Sequence, residues 1–444
     1  MELINNNQTE KVYKNNQNIL CCTNYNNTVL SENPNDKLNN AKIDLFKSEK
    51  KKWTVLVYAD GANDLKPYIN HDVNRLLKDR AKENTNIIIR HAELDKKFNR
   101  KTTDYFITKN SLGSKDISEI SMGDGREFSK FLTDNIKKYP ADHYMIVLQD
   151  HGMGFRGVCT DDKYNDILTL TELKTSFENA KRSNNDKTID IVLFNACQMQ
   201  QAEVASQLKD SVNVILGSEE VGMNYGRSVF NINFPQKKYI DELENYDDPK
   251  QFAKDVVSDS SLKARMTYRT FSAVDTEKIS QLEEKLKSFS NSVINLDKIK
   301  DKEAVERIRN CVKGSHHYYP GEGEIDLIDL MNKITDDDFL RKNYPKINKN
   351  AHLVKSKAIQ SILAERHKKT GWNTPREQNP ESVPYLMLSS DKGSFGLGIY
   401  MPLKKKWIKD PYEDAEVFEV PFSIREIDFI KSIRWNEMIK TLAE

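Results

Sequence analysis

Cysteine, net charge and long apolar runs are what this chain of 444 residues has least of. Its five cysteines, Cys21, Cys22, Cys159, Cys197 and Cys311, are odd in number and irregularly spaced, a poor disulfide framework. No CxxC and no HExxH occurs, so the familiar zinc spacings are missing and no metal site is expected. A formal net charge of +1 gives no global pull toward nucleic acid or an anionic membrane. No run approaches the roughly 18 apolar residues needed to span a bilayer. The opening residues, MELINNNQTEKVYKNNQNIL, hold no apolar h-region, so no ordinary secretory signal is expected. Cytoplasmic residence is the default expectation, with export by a non-classical route as the alternative. What remains is a reduced thiol protein, 38% hydrophobic and 30% charged, long enough to bury a full core.

Residues 1–50 are rich in Asn and Lys with little periodicity and read as a flexible lead or pro-segment. The run Trp53-Thr-Val-Leu-Val-Tyr58 is apolar and β-prone, as a buried central strand should be. Asp64 then reads as the N-cap of a helix with the stripe Leu65, Ile69, Val73, Leu76 and Leu77. Further strands are expected at 86–90, 103–108, 143–148, 189–194 and 212–216, with helices between them. Strands alternating with helices imply a mostly parallel sheet with right-handed crossovers. Beyond about residue 245 the pattern turns helical, at 249–264, 277–291, 302–313, 325–334 and 423–441, interrupted by an apolar strand over 395–401. The expected organisation is a lead (1–50), an α/β core (51–245) and a mostly helical C-terminal region packed on it (246–444).

The chemistry-bearing pair is His151 and Cys197, 46 residues apart. Each sits just past the carboxyl end of an expected strand, where functional residues gather in such sheets. If the two strands are neighbours, both side chains emerge at one sheet edge. A thiol peptidase needs a deprotonated Cys, a base beside it and backbone donors for the oxyanion. The pattern places Cys197 at the start of a helix, Gln198 to Leu208, whose N-terminus would lower the thiol pKa. Gly152 has no Cβ and lets its N–H approach a carbonyl. The N–H groups of Gly152 and Cys197 are therefore the oxyanion-hole candidates. Read without any relative, a buried Cys after a strand is as well explained as a small core residue.

Whole blocks carry a resemblance. Tyr139-Pro-Ala-Asp-His-Tyr-Met-Ile-Val-Leu-Gln-Asp-His-Gly-Met-Gly-Phe-Arg-Gly157 resembles the histidine block of clostripain-like cysteine peptidases, and Asp190-Ile-Val-Leu-Phe-Asn-Ala-Cys197 their nucleophile block. Val55 to Leu65, Ser121-Met-Gly-Asp124, Ile325-Asp-Leu-Ile-Asp-Leu330 and Gly396-Leu-Gly-Ile-Tyr-Met-Pro402 are similar to flanking signatures, in the same order. The resemblance implies a caspase-like three-layer α/β/α sandwich, a dyad of His151 and Cys197, and endopeptidase activity on peptide or protein substrates. It also implies a zymogen that cuts itself between the two blocks. The segment Asp161 to Asp186 reads as polar and loop-rich there, with Lys163 as the expected cut. A monomer is expected. Where such peptidases carry Asp two residues before the nucleophile, to bind a basic P1 side chain, this chain has Asn195. An amide supplies no countercharge, so Glu219 or Glu220 would have to supply it.

Other signals weigh less. Gly152-Met-Gly-Phe-Arg-Gly157 fits GxGxxG but overlaps the histidine block and opens no clear helix. His316-His317 lacks a third ligand. Lys404-Lys405-Lys406 reads as a solvated turn. No cofactor is expected, although the resemblance leaves calcium open. Asp161 and Asp162 are two carboxylates toward the six to eight oxygens that ion takes. A catalytically silent binding protein on the same fold, or another thiol hydrolase, remains the alternative reading.

Overall fold

The first strand explains the layers. β1 (Lys51–Gly61) alternates its side chains, so Leu56 and Tyr58 enter one core and Val55 and Val57 the other. A strand buried on both faces needs a helical layer on each side, and the apolar run at 53–58 reflects that. The structure is a computed structural model that describes residues 49–94, 97, 99–221, 236–259, 270–318, 323–367, 392–404 and 427–443. Cys21, Cys22, Lys405 and Lys406 lie outside them.

After β1 come α1 (Lys66–Leu77), β2 (Thr85–Leu94), β3 (Arg100–Ile107), β4 (Leu112–Ile117), α2 (Gly125–Lys138) and β5 (Ala141–Gln149). A small hairpin, β6 (Val158–Asp161) and β7 (Asp166–Leu168), leads into α3 (Leu170–Ser183) and β8 (Ile189–Asn195). Then follow α4 (Ala202–Leu208), β9 (Val212–Gly217), α5 (Gln236–Glu242), α6 (Pro249–Ser258), β10 (Thr270–Asp275), α7 (Ile279–Lys298) and α8 (Lys302–Gly314). The remainder is β11 (Glu324–Asp326), α9 (Leu327–Asp336), α10 (Asp338–Asn343), α11 (Pro345–Ser361), β12 (Ile362–His367), β13 (Gly398–Tyr400), α12 (Asp428–Ser432) and α13 (Trp435–Leu442).

Nine strands form one sheet in the order β12-β10-β9-β8-β5-β1-β2-β3-β4. The five central strands are parallel, and an antiparallel pair closes each flank. One face carries α2 and α3 with Phe128, Phe131 and Phe177; the other carries α1 and α6 with Ile69, Val73 and Phe252. This is the expected caspase-like sandwich. Two strands of the sheet, β10 and β12, come from beyond residue 245, so the helical C-terminal part also completes the sheet.

Several elements differ from expectation. Asp64 does not cap α1: the cap position is Leu65, without a side-chain bond, and Asn63 Oδ1 accepts the Leu65 N–H at 2.9 Å instead. The segment Asp161 to Asp186 is not loop-rich, because β7 and the fourteen-residue α3 occupy most of it. A capping box of Thr169 and Glu172 explains that helix. The expected helix at 325–334 starts as strand β11, then runs as α9 from Leu327, capped by Asp326. The strand expected over 395–401 is the three-residue β13, paired with β11 outside the main sheet. The C-terminal helix breaks into α12 and α13 at Arg434, which has φ +57°.

Candidate active site

β5 and β8 are parallel neighbours, with Gln149 opposite Asn195. His151 and Cys197 each stand two residues beyond that rung, so both leave the sheet at its carboxyl edge. The two loops touch backbone to backbone: a Cβ on Gly152 would collide with the Cys197 carbonyl oxygen and press on Ala196. Glycine is required there by the neighbouring loop itself. Cys197 is 5% exposed and the His151 side chain 22%.

The histidine loop is braced by polar groups from the turn after β1 and from β6. His151 Nε2 lies 2.7 Å from Asp64 Oδ1, and that contact is the main reason the Asp64 carboxyl is held below its usual range. Asp64 is the functional candidate the sequence reading assigned to another task. Asn63 Nδ2 donates to Asp150 Oδ1 and to the Thr160 carbonyl, both at 2.7 Å. Asp150 Oδ2 accepts the Thr160 N–H at 2.6 Å, and the Cys159 N–H donates to the His151 carbonyl at 3.1 Å. Asp150 and Asp60 are fully buried; desolvation first, and each other's charge second for Asp150, push the Asp150 carboxyl well up. Gly152 faces Val158 across an isolated bridge, but Met153 and Cys159 donate its hydrogen bonds, at 2.9 and 3.1 Å. The bridge therefore does not consume the Gly152 N–H.

The cysteine loop is not a helix start. Residues 196–200 form a turn, and α4 begins at Ala202, five positions past the thiol. The expected helix-dipole effect on Cys197 is thus absent, since such effects fade within one turn. Gln198 adopts φ +57° while only 3% exposed. Its N–H donates to the Glu220 carbonyl at 3.4 Å, and the Gln200 N–H to the Ser218 carbonyl at 3.1 Å. Gly398 N–H donates to the Gln200 carbonyl at 3.0 Å, so β13 backs the same loop. The histidine and cysteine loops are also joined through Gln201, whose Oε1 accepts the Phe155 N–H at 3.1 Å. Gly154, at φ +56°, leaves room for that amide. Glu203, in the first turn of α4, accepts the Tyr400 N–H at 2.9 Å, and burial raises its carboxyl to about 7.

Asn195 is fully buried at the end of β8. Neither glutamate after β9 is a solvated loop carboxylate: Glu219 is 1% exposed and Glu220 2%. The Glu219 carboxylate is turned into the protein, toward Tyr318, Ser394 and Gly396, and not toward the cysteine loop. Glu220 stays beside that loop through its backbone, with Oε1 accepting the Val221 N–H at 2.8 Å. Residues 222–225, the rest of the expected P1 wall, lie outside the described residues.

The minor signals resolve locally. Gly154–Arg156 is a single 3₁₀ turn, not a helix start for a dinucleotide. Asp161 pairs with Arg100 and accepts the N–H groups of Met122 at 2.9 Å and Lys163 at 3.2 Å. The Asp161 carboxylate is thus engaged by three donors. Among the described residues no group of three His, Cys, Asp or Glu is placed to hold a metal ion. None of the described helices is long and apolar enough to cross a membrane.

The sequence profile of the clostripain family matches residues 57–441. Clostripain of Hathewaya histolytica is 25% identical over 195 residues, which is 37% of this chain and 37% of that protein. A secreted C11 cysteine protease from Bacteroides thetaiotaomicron, solved with an irreversible peptide inhibitor, superposes with a TM-score of 0.59 at 17% identity, covering 87% of this chain and 99% of that one. An inactive zymogen C11 protease from Parabacteroides distasonis gives 0.58 at 15% identity, with the same coverage. At such identities the two structures speak to fold.

Proposed function

This chain belongs to the clostripain family of cysteine peptidases, and on that footing we propose that it is an endopeptidase working through a Cys197–His151 dyad. The observation that carries the reading is the shared rung Gln149–Asn195, which brings the two loops into backbone contact. In this reading the Cys197 sulfur attacks the scissile carbonyl carbon and its proton passes to His151. The oxyanion is met by the N–H groups of Gly152 and Cys197. Collapse breaks the C–N bond, and His151 returns the proton to the leaving amine. Water then attacks the thioester, with His151 as base, and releases the acid and the thiol. Asp64, accepting from Nε2–H, assigns Nδ1 to the thiol side and fixes the ring.

The reading keeps Lys or Arg as the P1 preference, with Glu220 as the remaining acidic candidate beside Asn195. It also keeps self-processing. Lys163 stands in the β6–β7 turn, ion-paired with Glu119, whereas Lys174, Lys181 and Arg182 are within α3. Either side of the turn is anchored, Asp161 to the Met122 N–H and Asp166 to Ser121 Oγ at 2.7 Å, so two chains would stay associated. The likeness in fold to an inactive zymogen C11 protease of Parabacteroides distasonis is consistent with that reading.

The test is labelling with peptidyl acyloxymethyl ketones carrying Lys or a neutral residue at P1. Expected is a covalent adduct on Cys197, faster with Lys, and absent in Cys197→Ala. Intact mass of the same sample reads the cut after Lys163. A folded protein that takes up neither probe sinks the enzyme reading.

A further inference from the structure

Glu219 is one residue from the backbone that supports the cysteine loop, yet its carboxylate is committed elsewhere. Oε1 accepts from the Tyr318 hydroxyl at 2.8 Å and the Gly396 N–H at 2.9 Å, and Ser394 Oγ stands 3.1 Å from Oε2. The Tyr318 hydroxyl is also 3.2 Å from Asp326 Oδ2. Asp326 accepts the Phe395 N–H at 2.8 Å and, as the cap of α9, the Asp329 N–H at 2.7 Å. Both carboxyls are buried, at 1% and 0% exposure. Burial is the first cause that raises each, and the groups among the described residues that act on them most are each other, Tyr318, Ser394 and backbone N–H groups, none of them a cation. Two adjacent carboxylates without a countercharge do not both ionise; one proton between them removes the repulsion.

The cluster gathers segments from four places: the exit of β9, the segment between α8 and β11, the cap of α9 and the approach to β13. Its output is local. Ser218 and Glu220, on either side of Glu219, offer the carbonyls that receive Gln200 and Gln198. Those two bonds hold a turn in which Gln198 is left-handed, a conformation that persists only when its surroundings fix it.

We propose that Glu219 and Asp326 share one proton and form a buried clasp that sets the position of the Cys197 loop, making Glu219 a positioning residue and not the partner of a basic P1 side chain. The inference rests on Cys197 being the nucleophile. It accounts for a buried carboxylate that faces away from the cleft while sitting beside the cysteine loop.

The experiment measures kcat and KM separately for matched peptides with Lys or a neutral residue at P1. Glu219→Ala should lower kcat on both peptides alike, by roughly thirty- to a hundredfold, the cost of a catalytic group displaced by about an ångström, while KM moves less than about threefold. Glu219→Gln should recover most of that loss on both peptides, because its amide supplies the hydrogen that the pair shares. A Glu219→Gln defect confined to the Lys peptide overturns the proposal and restores Glu219 as a P1 ligand. Unchanged kcat in Glu219→Ala overturns it as well. If Glu219→Ala does not fold, Tyr318→Phe decides: it removes the bridging hydroxyl and keeps the ring. A several-fold fall in kcat, equal on both peptides, supports the clasp; no change overturns it. Turnover by Cys197→Ala would instead remove the dyad reading on which the clasp rests, so the two failures are distinct.

Discussion

The loop carrying His151 is braced from nearby in the fold by small polar groups of the turn after β1 and of β6, namely Asn63, Asp64, Cys159 and Thr160. The loop carrying Cys197 leans on Ser218, Glu220 and Gly398, and Glu219, between the first two, is bonded to Tyr318, Ser394 and Gly396. The histidine brace reaches solvent, since the Asp64 side chain is 65% exposed. The cysteine brace is buried throughout. Under the proposed dyad, the proton carrier sits in a screened, polar setting and the nucleophile in a dry, interlocked one. The contrast makes the histidine side the adjustable half and the cysteine side the half that depends on complete folding.

The largest expected effect would test whether the two halves act as one. Cys197→Ala and His151→Ala should each lower kcat/KM by roughly a thousandfold or more, and the double variant little further, as for any cooperating unit. Additive losses in peptide-hydrolysis assays would break the comparison. Next is the junction. Gly152→Ala puts a methyl group into the Cys197 carbonyl. It should destabilise by about 1–3 kcal/mol or more and remove activity, read from denaturant midpoints and turnover of the folded fraction.

The buried half can be probed through Glu203. Its folded value of about 7 lies above its ordinary 4.5, so the wild type favours the protonated fold. The stability from that group is present below about pH 4.5 and is lost as pH rises through 7, on the order of 3 kcal/mol in all. Glu203→Gln should lack this dependence and gain on the wild type across that window. Parallel stability curves between pH 4.5 and 8 would contradict the dry setting of the cysteine side. The smallest effect belongs to the exposed half. Asp64→Ala should lower kcat by about ten- to a hundredfold, and the gap should narrow as salt rises, because a mostly exposed pair is screened. A salt-independent gap would place Asp64 among the dry contacts instead.

The same contrast decides what could be read in the sequence. β1, β5, β8 and β9 are buried on both faces and print apolar runs. β10, Thr-Phe-Ser-Ala-Val-Asp, and β12, Ile-Leu-Ala-Glu-Arg-His, join the flank as antiparallel strands with polar residues and print no such signal. His151 and Cys197 were legible because each ends such a run. Asp64 was visible as a residue but misassigned, since a carboxylate ahead of an apolar stripe looks the same as a helix cap. Its true partner is 87 positions away, and only its place past the first strand pointed to the site edge. Glu219 carried no local cue at all: its partners stand 99 and 175 positions downstream. The misread helix after Cys197 failed for a related reason. Gln198 and Gln200 are drawn to carbonyls just past the end of the strand next door, a pull that no window of sequence contains.

The rung joining Gln149 to Asn195 means that the count of 46 residues between histidine and cysteine is incidental. Strand pairing indexes the two side chains, and the chain that connects them only has to return. Insertions in the β6–β7 turn or in the turn between α3 and β8 should therefore leave the pair in place, whatever their length. One residue added inside β5 or β8 would be different. It would turn the following side chain through the sheet to the opposite face, and a length change of one would do what no loop extension can.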